Sequence, residues 1–454
     1  MGLAPYGDPQ VYLDGFRKHL VLAPEGHFEI RSDETAVATF MDASRPPGAP
    51  LQQRHKDFAA ALQAATEQIL LHVIKHFQQQ TGHKHLCLAG GLAQNCSANG
   101  KLLVSGLFEE IFVQPVAYDA GCALGAAIHG YLAAGEKVTS RRMSHLYWGY
   151  ATPERRALGA ILDAWGEVVD VAELSDASGT GAKLIAAGRV IAWVQGRAEF
   201  GARALGNRSI LADPRPAGNK DRINAMVKKR EGYRPFAPSV LEEHLHAYFE
   251  VPREVRSLPF MVFVVKVKKG HRDLLGAVTH VDGTARVQSV SKATNERYWR
   301  LIDGFRQLTG TPIVLNTSFN NNAEPIVNTP ADALNCFLST HIDALIIGDF
   351  LVTKKRGIEQ PGVIRHLIPA MSHRFAAVRQ TGSDGRLGHF IHDRYTNRYA
   401  EVSALTWECL VRAIDGRLRF QTAIERLEVN NSGKLVDELF GLWERRVFAC
   451  EAGR

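Results

Sequence analysis

Apolar residues recur at three- and four-residue steps between residues 57 and 80: Phe58, Leu62, Ala65, Ile69, Val73, Ile74 and Phe77. That spacing lines one face of a helix, and Thr81-Gly82 supplies its stop. The pattern then changes to a short continuous apolar run at residues 85–89, which reads as a buried strand. A Gly90-Gly91 turn, a helix at 94–103, a strand at 111–113 and an apolar helix at 122–133 follow. Two strand–glycine–helix junctions of this kind predict an α/β unit, preceded by two strands around Tyr12 and at 27–30. The alternation resumes at Ala177. Strands are predicted at 190–194, 260–267, 287–290, 313–315 and 344–347, and helices at 177–187, 221–227, 295–308 and 330–337. Three short helices close the chain, at 406–414, 420–427 and 434–446. The resulting division is 1–135, a connector over 136–176, a second α/β domain over 177–356, an irregular linker over 357–400 and a helical module over 401–454.

Length favours several domains, since 454 residues exceed one compact core. Composition is that of an ordinary globular chain, 45% hydrophobic and 22% charged. No apolar run approaches a membrane span, and Met1-Gly-Leu-Ala-Pro-Tyr-Gly7 is turn-like, unlike a secretory leader. A cytoplasmic protein is the expectation. The six cysteines are scattered without a CxxC, which fits reduced thiols and argues against a cysteine-built zinc site.

The excess of 54 Lys and Arg over 47 Asp and Glu gives +7, a balance that suits nucleic acid or phosphorylated small molecules. Its distribution favours the second. Ten Lys or Arg residues lie between Arg197 and Arg234, spaced by Gly, Asn and Pro rather than by a stacking series of aromatics. Arg197, Arg203 and Arg208 are separated by glycines, so one rigid loop presents several planar donors of the kind that bind phosphate. Lys228 and Arg234 follow, ending in the Pro-pinned turn Arg234-Pro-Phe-Ala-Pro238. A fourth cluster reads His280-Val-Asp-Gly-Thr-Ala-Arg286. A fifth, Leu315-Asn316-Thr-Ser318-Phe-Asn320, places amides and a hydroxyl at a strand end, where a carbamoyl group finds donors and acceptors. Gly90 and Gly91 either admit a nucleotide to the backbone or simply turn the chain. Asn95 and Asn99 stand one helical turn apart and so can face one ligand. Asp119 either caps a helix or ligates a cation. His72 and His76 have metal-ligand spacing but sit beside the apolar stripe with no third ligand in the sequence nearby, which favours a structural role.

Taken together these motifs resemble the O-carbamoyltransferases that modify nodulation factors, cephalosporins and aminoglycosides. The resemblance rests on Met1-Gly-Leu-Ala-Pro-Tyr-Gly7, Gly90-Gly-Leu-Ala-Gln-Asn-Cys96, Asp119-Ala-Gly121, Gly196-Arg197, Arg203-Ala-Leu-Gly-Asn-Arg-Ser209, Arg234-Pro-Phe-Ala-Pro-Ser239, His280 to Arg286 and Leu315 to Asn320, and covers residues 1–355. It implies an α/β fold: the second lobe of an actin/sugar-kinase-like domain, then a YrdC-like α/β domain. Residues 401–454 lie beyond that resemblance and, by their helix–Asp-Gly–helix–helix–strand order, separately resemble a small winged-helix module. It implies that carbamoyl phosphate and ATP form carbamoyl adenylate, whose carbamoyl group passes to a hydroxyl of a small-molecule acceptor such as a sugar or antibiotic. Carried over, Arg203, Lys228, Arg234 and Arg286 hold carbamoyl phosphate and nucleotide phosphates. Arg197, Arg208, Asn316, Ser318 and Asn320 support them. Gly90, Gly91 and Asn95 form the nucleotide turn of the kinase-like unit, and Asp119 is its divalent-metal ligand. Ala202 and Ala323 depart from the family's usual Pro and Gly.

The resemblance also implies a further N-terminal segment with a metal-binding histidine pair, read as missing here, so that metal binding is expected only with a separate N-terminal half. The residues 1–133 are then expected to show an uncovered apolar face, and the module 401–454 to fold independently and dock a partner or peptide. Two alternatives remain: an inactive or split-enzyme subunit acting as a scaffold, and a tRNA-modifying enzyme using a carbamoyl-adenylate-type intermediate. No membrane partner is expected, and the acidic residues Asp437, Glu438 and Glu444 of the last helix argue against nucleic acid.

Overall fold

The computed structural model describes residues 1–31, 34, 41, 44–46, 49–137, 143–381, 387–429 and 431–452. Its centre is an eight-stranded mixed sheet. From edge to edge the strands are Gln288–Val290, Ala237–Leu241, Ile313–Ser318, Arg208–Ala212, Ile191–Val194, Ala344–Ile347, Phe350–Lys354 and Val169–Glu173. Two neighbouring pairs run parallel, Gln288–Val290 with Ala237–Leu241 and Ala344–Ile347 with Ile191–Val194; the others run antiparallel.

Side chains of successive strand residues point to opposite faces, and this sheet buries both. Ile191, Trp193, Leu211, Val314 and Ile346 pack against the paired helices Ala177–Ala186 and Glu296–Thr309. Ala192, Val194, Ile210, Leu315 and Leu345 belong to the larger core on the other side. Burial of both faces explains the continuous apolar runs at 190–194 and 344–347.

The first unit is smaller. The helix Gln53–Thr81 packs on the helix Gln10–His19 through Ala61, Ala65, Leu13 and Phe16. The strand expected around Tyr12 is therefore a helix: Leu13 and Phe16 are three residues apart and share its buried face, a helical period that the short segment concealed. The strands His85–Leu88 and Glu110–Val113 pair in parallel. The helix Cys122–Ala133 is apolar yet has no buried residue, leaving Ile128, Tyr131 and Leu132 exposed.

The connector and linker are more ordered than their composition suggested. The connector supplies the edge strand Val169–Glu173 and the helix Arg155–Asp163. The linker holds the strand Leu367–Met371 and a meander of Phe375–Thr381, Leu387–Asp393 and Arg398–Glu401. The three C-terminal helices are observed at Ala404–Asp415, Phe420–Arg426 and Gly433–Glu444, and a final strand, Phe448–Ala452, pairs back onto Leu367–Met371. This module is not independent. Leu410, Phe420, Trp443 and Phe448 belong to the same apolar core as Leu205 and Ile364. Asn335 of the body accepts from Trp443 Nε1 at 2.9 Å and from the Cys450 amide at 2.7 Å. No helix among the described residues is long and apolar enough to cross a membrane.

Candidate active site

The loop that carries Arg203 leaves the strand Ile191–Val194 and returns as the buried strand Arg208–Ala212. It is held on three sides. Glu199 Oε1 accepts from the amides of Leu205 and Asn207, both at 2.7 Å. Asn316 Nδ2 donates to the Ala204 carbonyl at 3.2 Å, and Gln288 Nε2 to the Leu205 carbonyl at 2.8 Å. Gly206 lies at φ 108°, where a Cβ would meet the Tyr298 ring at 2.2 Å, so only glycine passes there. A loop with its backbone groups taken is pre-set to present a side chain.

That side chain is Arg203, and it lines a cleft of about 450 Å³ between the first unit and the sheet domain. Lys220, Arg230, Arg234 and Arg286 line it from the domain side, and Gly2, Tyr6 and Ser97 from the first unit. Five cations thus share the cleft with one carboxylate, Asp282. Repulsion from Arg286, reinforced by burial, draws Arg203 down to about 10. Burial, with repulsion from Arg234 and Arg286, draws Arg230 to about 10 as well. Both remain charged at neutral pH, and the shifts register burial and mutual repulsion among the cleft's cations, of which Arg234 pairs with Glu231 at 3.0 Å. Arg286 Nε is buried with no hydrogen-bond partner among the described residues. His280, pushed down to about 4 mainly by burial, is a neutral imidazole there: Nδ1 is 3.0 Å from Thr284 Oγ1, and Nε2 is buried without a partner among the described residues. Such a concave, cation-rich, partly desolvated site is built to receive a phosphate or a developing oxyanion.

A second cavity, of about 530 Å³, adjoins the first through Arg230 and Arg234, which line both. It holds Lys228, Ser318 and Asn320. A turn of π-helix at Asn224–Lys228 directs the lysine inward. Its Nζ donates to Ser318 Oγ at 3.1 Å, Asn320 Oδ1 at 2.7 Å and the Asn320 carbonyl at 2.8 Å. Burial draws Lys228 down to about 7.

Arg203, Arg234 and Arg286 therefore converge, while Lys228, Ser318 and Asn320 occupy the adjoining cavity. The other assigned residues lie elsewhere, and some of them are taken up by the chain itself. Arg208 is fully buried and donates to the carbonyls of Gln195, Asn207, Tyr150 and Asn328, so it braces the chain and faces no ligand space. Arg197 is exposed and donates to the Trp148 carbonyl, away from both cavities. Asn316 is buried behind the Arg203 loop. Asn95 caps its own helix, accepting from the Ala98 amide at 3.2 Å, and exchanges hydrogen bonds with Gln63. Asn99 is turned the opposite way, binding the Val262 carbonyl at 3.0 Å, so the two asparagines do not share a ligand. Gly90 and Gly91 stand at an exposed strand end with open space around them. Asp119 is exposed, and no three His, Cys, Asp or Glu residues gather into a metal cluster among the described residues. His72 Nε2 lies 2.9 and 3.0 Å from the carbonyls of Ala23 and His27, the structural role that its position favoured.

Residues to which the sequence reading gave no site role include Lys220, Arg230 and Glu199, and the Met1–Gly7 motif was not placed in the site. Lys220 Nζ donates to Tyr6 Oη at 3.2 Å, which ties that segment to the cleft wall. The segment was legible as a motif, but its place in the site needed the fold.

Two family models match the chain: Carbamoyltransferase N-terminus over residues 1–128 and Carbamoyltransferase C-terminus over residues 182–354. The boundary between them is the boundary across which the cleft opens. The chain is 47% identical over 452 residues to nodulation protein NolNO of Sinorhizobium fredii, covering 98% of this chain and 66% of that protein. It is 46% identical over 459 residues to nodulation protein NolO of Bradyrhizobium diazoefficiens, covering 98% and 82%. It is 36% identical over 267 residues to a 3'-hydroxymethylcephem-O-carbamoyltransferase of Streptomyces clavuligerus, covering 58% and 48%. The match of the N-terminus model to residues 1–128 does not support the expectation that the family's N-terminal segment is missing. Two family models that together match well over half of the chain, and a relative 46% identical over 98% of it, show the family: the chain belongs to the carbamoyltransferase family.

Proposed function

We propose that this chain transfers a carbamoyl group from carbamoyl phosphate to a hydroxyl of a small-molecule acceptor, with ATP as co-substrate and carbamoyl adenylate as the intermediate. The observation that carries the reading is the cleft in which Arg203, Lys220, Arg230, Arg234 and Arg286 face one carboxylate. Carbamoyl phosphate loses phosphate to water to give carbamate, and carbamate oxygen attacks the α-phosphorus of ATP, releasing pyrophosphate. The acceptor oxygen then attacks the carbamoyl carbon, its proton is lost, and AMP departs. The clustered guanidinium groups neutralise the phosphates and the charge that develops on them, an effect commonly worth about 3–4 kcal/mol for a single well-placed donor. Neutral His280, with Nε2 open, is placed to hydrogen-bond the carbamoyl group.

The sheet domain would then be the YrdC-like half and the first unit the kinase-like half. The residues at Asp119 do not by themselves make a metal site, so no step is routed through a metal. The reading is tested by mixing the chain with ATP and carbamoyl phosphate and following pyrophosphate. Release that depends on carbamoyl phosphate is expected; release indifferent to it, or none, overturns the proposal.

A further inference from the structure

The end of the last helix reaches the Lys228 cavity from behind, and does so with side chains already paired. Arg446 Nε donates to Glu324 Oε2 at 2.6 Å and its Nη2 to Glu324 Oε1 at 2.8 Å, a two-point contact. Both side chains are nearly buried, 12% and 11% exposed. Glu324 in turn holds the cavity loop: its Oε1 accepts from the Asn321 amide at 3.0 Å and its carbonyl from Asn320 Nδ2 at 2.8 Å. Asn320, together with Ser318, accepts from Lys228. Glu444, two positions before Arg446, takes the opposite wall. Its Oε1 is 2.5 Å from Lys229 Nζ, and its carbonyl accepts from Asn321 Nδ2 at 2.9 Å. Arg446 itself sits at φ 57°, in the left-handed region that a non-glycine residue adopts only when its surroundings over-determine it.

From these contacts we infer that the C-terminal module is the positioning element of the Lys228 cavity, and that Arg446, acting through Glu324, sets the loop that holds Asn320 and Lys228 in place. The module lies beyond the residues that the C-terminus family model matches, which end at 354. The inference rests on the carbamoyl phosphate reading only for what the cavity binds. An exposed ion pair in this place would do little, but a buried two-point pair leaves an uncompensated carboxylate in the loop when its arginine is removed.

The test compares wild type with Arg446→Ala, Arg446→Lys and Arg446→Gly. The glycine variant removes the side chain while suiting the left-handed backbone, and so guards against simple misfolding. Arg374→Ala, which breaks an ion pair with Asp393 in the neighbouring linker meander, is the control. Two quantities are read on each folded variant: the rate at which acetic anhydride labels Lys228, resolved by mass spectrometry, and the affinity for carbamoyl phosphate. The alanine and glycine variants are expected to label Lys228 about tenfold faster and bind about tenfold more weakly, the scale of one lost hydrogen bond to a charged group. Lysine should rescue in part, and Arg374→Ala should match wild type. Unchanged labelling and affinity in both Arg446→Ala and Arg446→Gly overturn the inference, as does an equal change in Arg374→Ala. If wild type does not bind carbamoyl phosphate, the functional reading fails while the labelling still decides the positioning role.

Discussion

Lys228 shows how much chemistry a single burial event can set. Its ammonium meets neutral acceptors on Ser318 and Asn320, and burial leaves it titrating at about 7, far below the 10.5 of an exposed lysine. The sign of the consequence follows from linkage. Between about 7 and 10.5 the unfolded chain binds this proton and the folded one does not, so the group favours folding more as pH rises through that window. Below about 7 the folded state carries the cost of a buried charge. Anion binding runs the other way, since a charged Lys228 attracts phosphate. Affinity for sulfate, whose charge is constant over this range, should therefore rise as pH falls through about 7, and Lys228→Met should flatten both that profile and the rise in unfolding midpoint between pH 7 and 9. Sulfate titrations and denaturant melts at several pH values check the pair of expectations. The arginines of this site were legible because glycines punctuate them. Arg208 was misread for the same reason. The run Ser209-Ile-Leu-Ala212 that follows it is apolar and strand-like, and that context, rather than the glycine spacing, dictates its burial. Glu199 and Glu324 carry no local signal, because an internal carboxylate reads like any charged position until the amides it accepts from are in place.

Among the elements, the Arg203 loop is the one most exposed to a single change. Gly206→Ala forces a Cβ against the Tyr298 ring and a left-handed conformation on a residue that disfavours it. The expected loss is on the order of 2–4 kcal/mol, combining backbone strain and overpacking. It should appear as a lowered unfolding midpoint together with weakened phosphate binding, because the misplaced loop carries Arg203. A variant as stable as wild type would show that the loop is not fixed as described. Long periodic helices were plain in the sequence, Gln53–Thr81 and Glu296–Thr309 above all, since many repeats of the pattern accumulate there. Short strands without a continuous apolar run were not. Ala237–Leu241 begins at the Pro-containing segment that looked like a turn, and Arg208–Ala212 opens with a charge. Their identity comes from pairing with Ile313–Ser318, a non-local contact that no window of sequence contains.

At the scale of the whole molecule, the chain is organised around a seam. The helix Cys96–Leu103 meets the strand Val264–Val267 so closely that a Cβ on Gly100 would lie 1.8 Å from the Val264 carbonyl, and Asn99 binds the Val262 carbonyl across the same boundary. The cleft opens along that seam. The C-terminal module closes the far side through Trp443, Phe448 and Arg446. Ending the chain at residue 400 should therefore lower the unfolding midpoint sharply and abolish carbamoyl phosphate binding; a stable, binding-competent truncation would restore the independent docking module that the helix order suggested. That order was readable from the sequence, whereas its shared core was not, because the partner of Trp443 and Cys450, Asn335, lies 108 and 115 residues away. The central claim, that the arginine cleft receives carbamoyl phosphate, is tested most directly by calorimetric titration of carbamoyl phosphate into wild type and Arg203→Ala. Saturable binding by wild type, weakened about tenfold or more in the variant as expected for a lost charged hydrogen bond, is the predicted result; equal affinity in the two proteins, or no binding by a folded wild type, would contradict it.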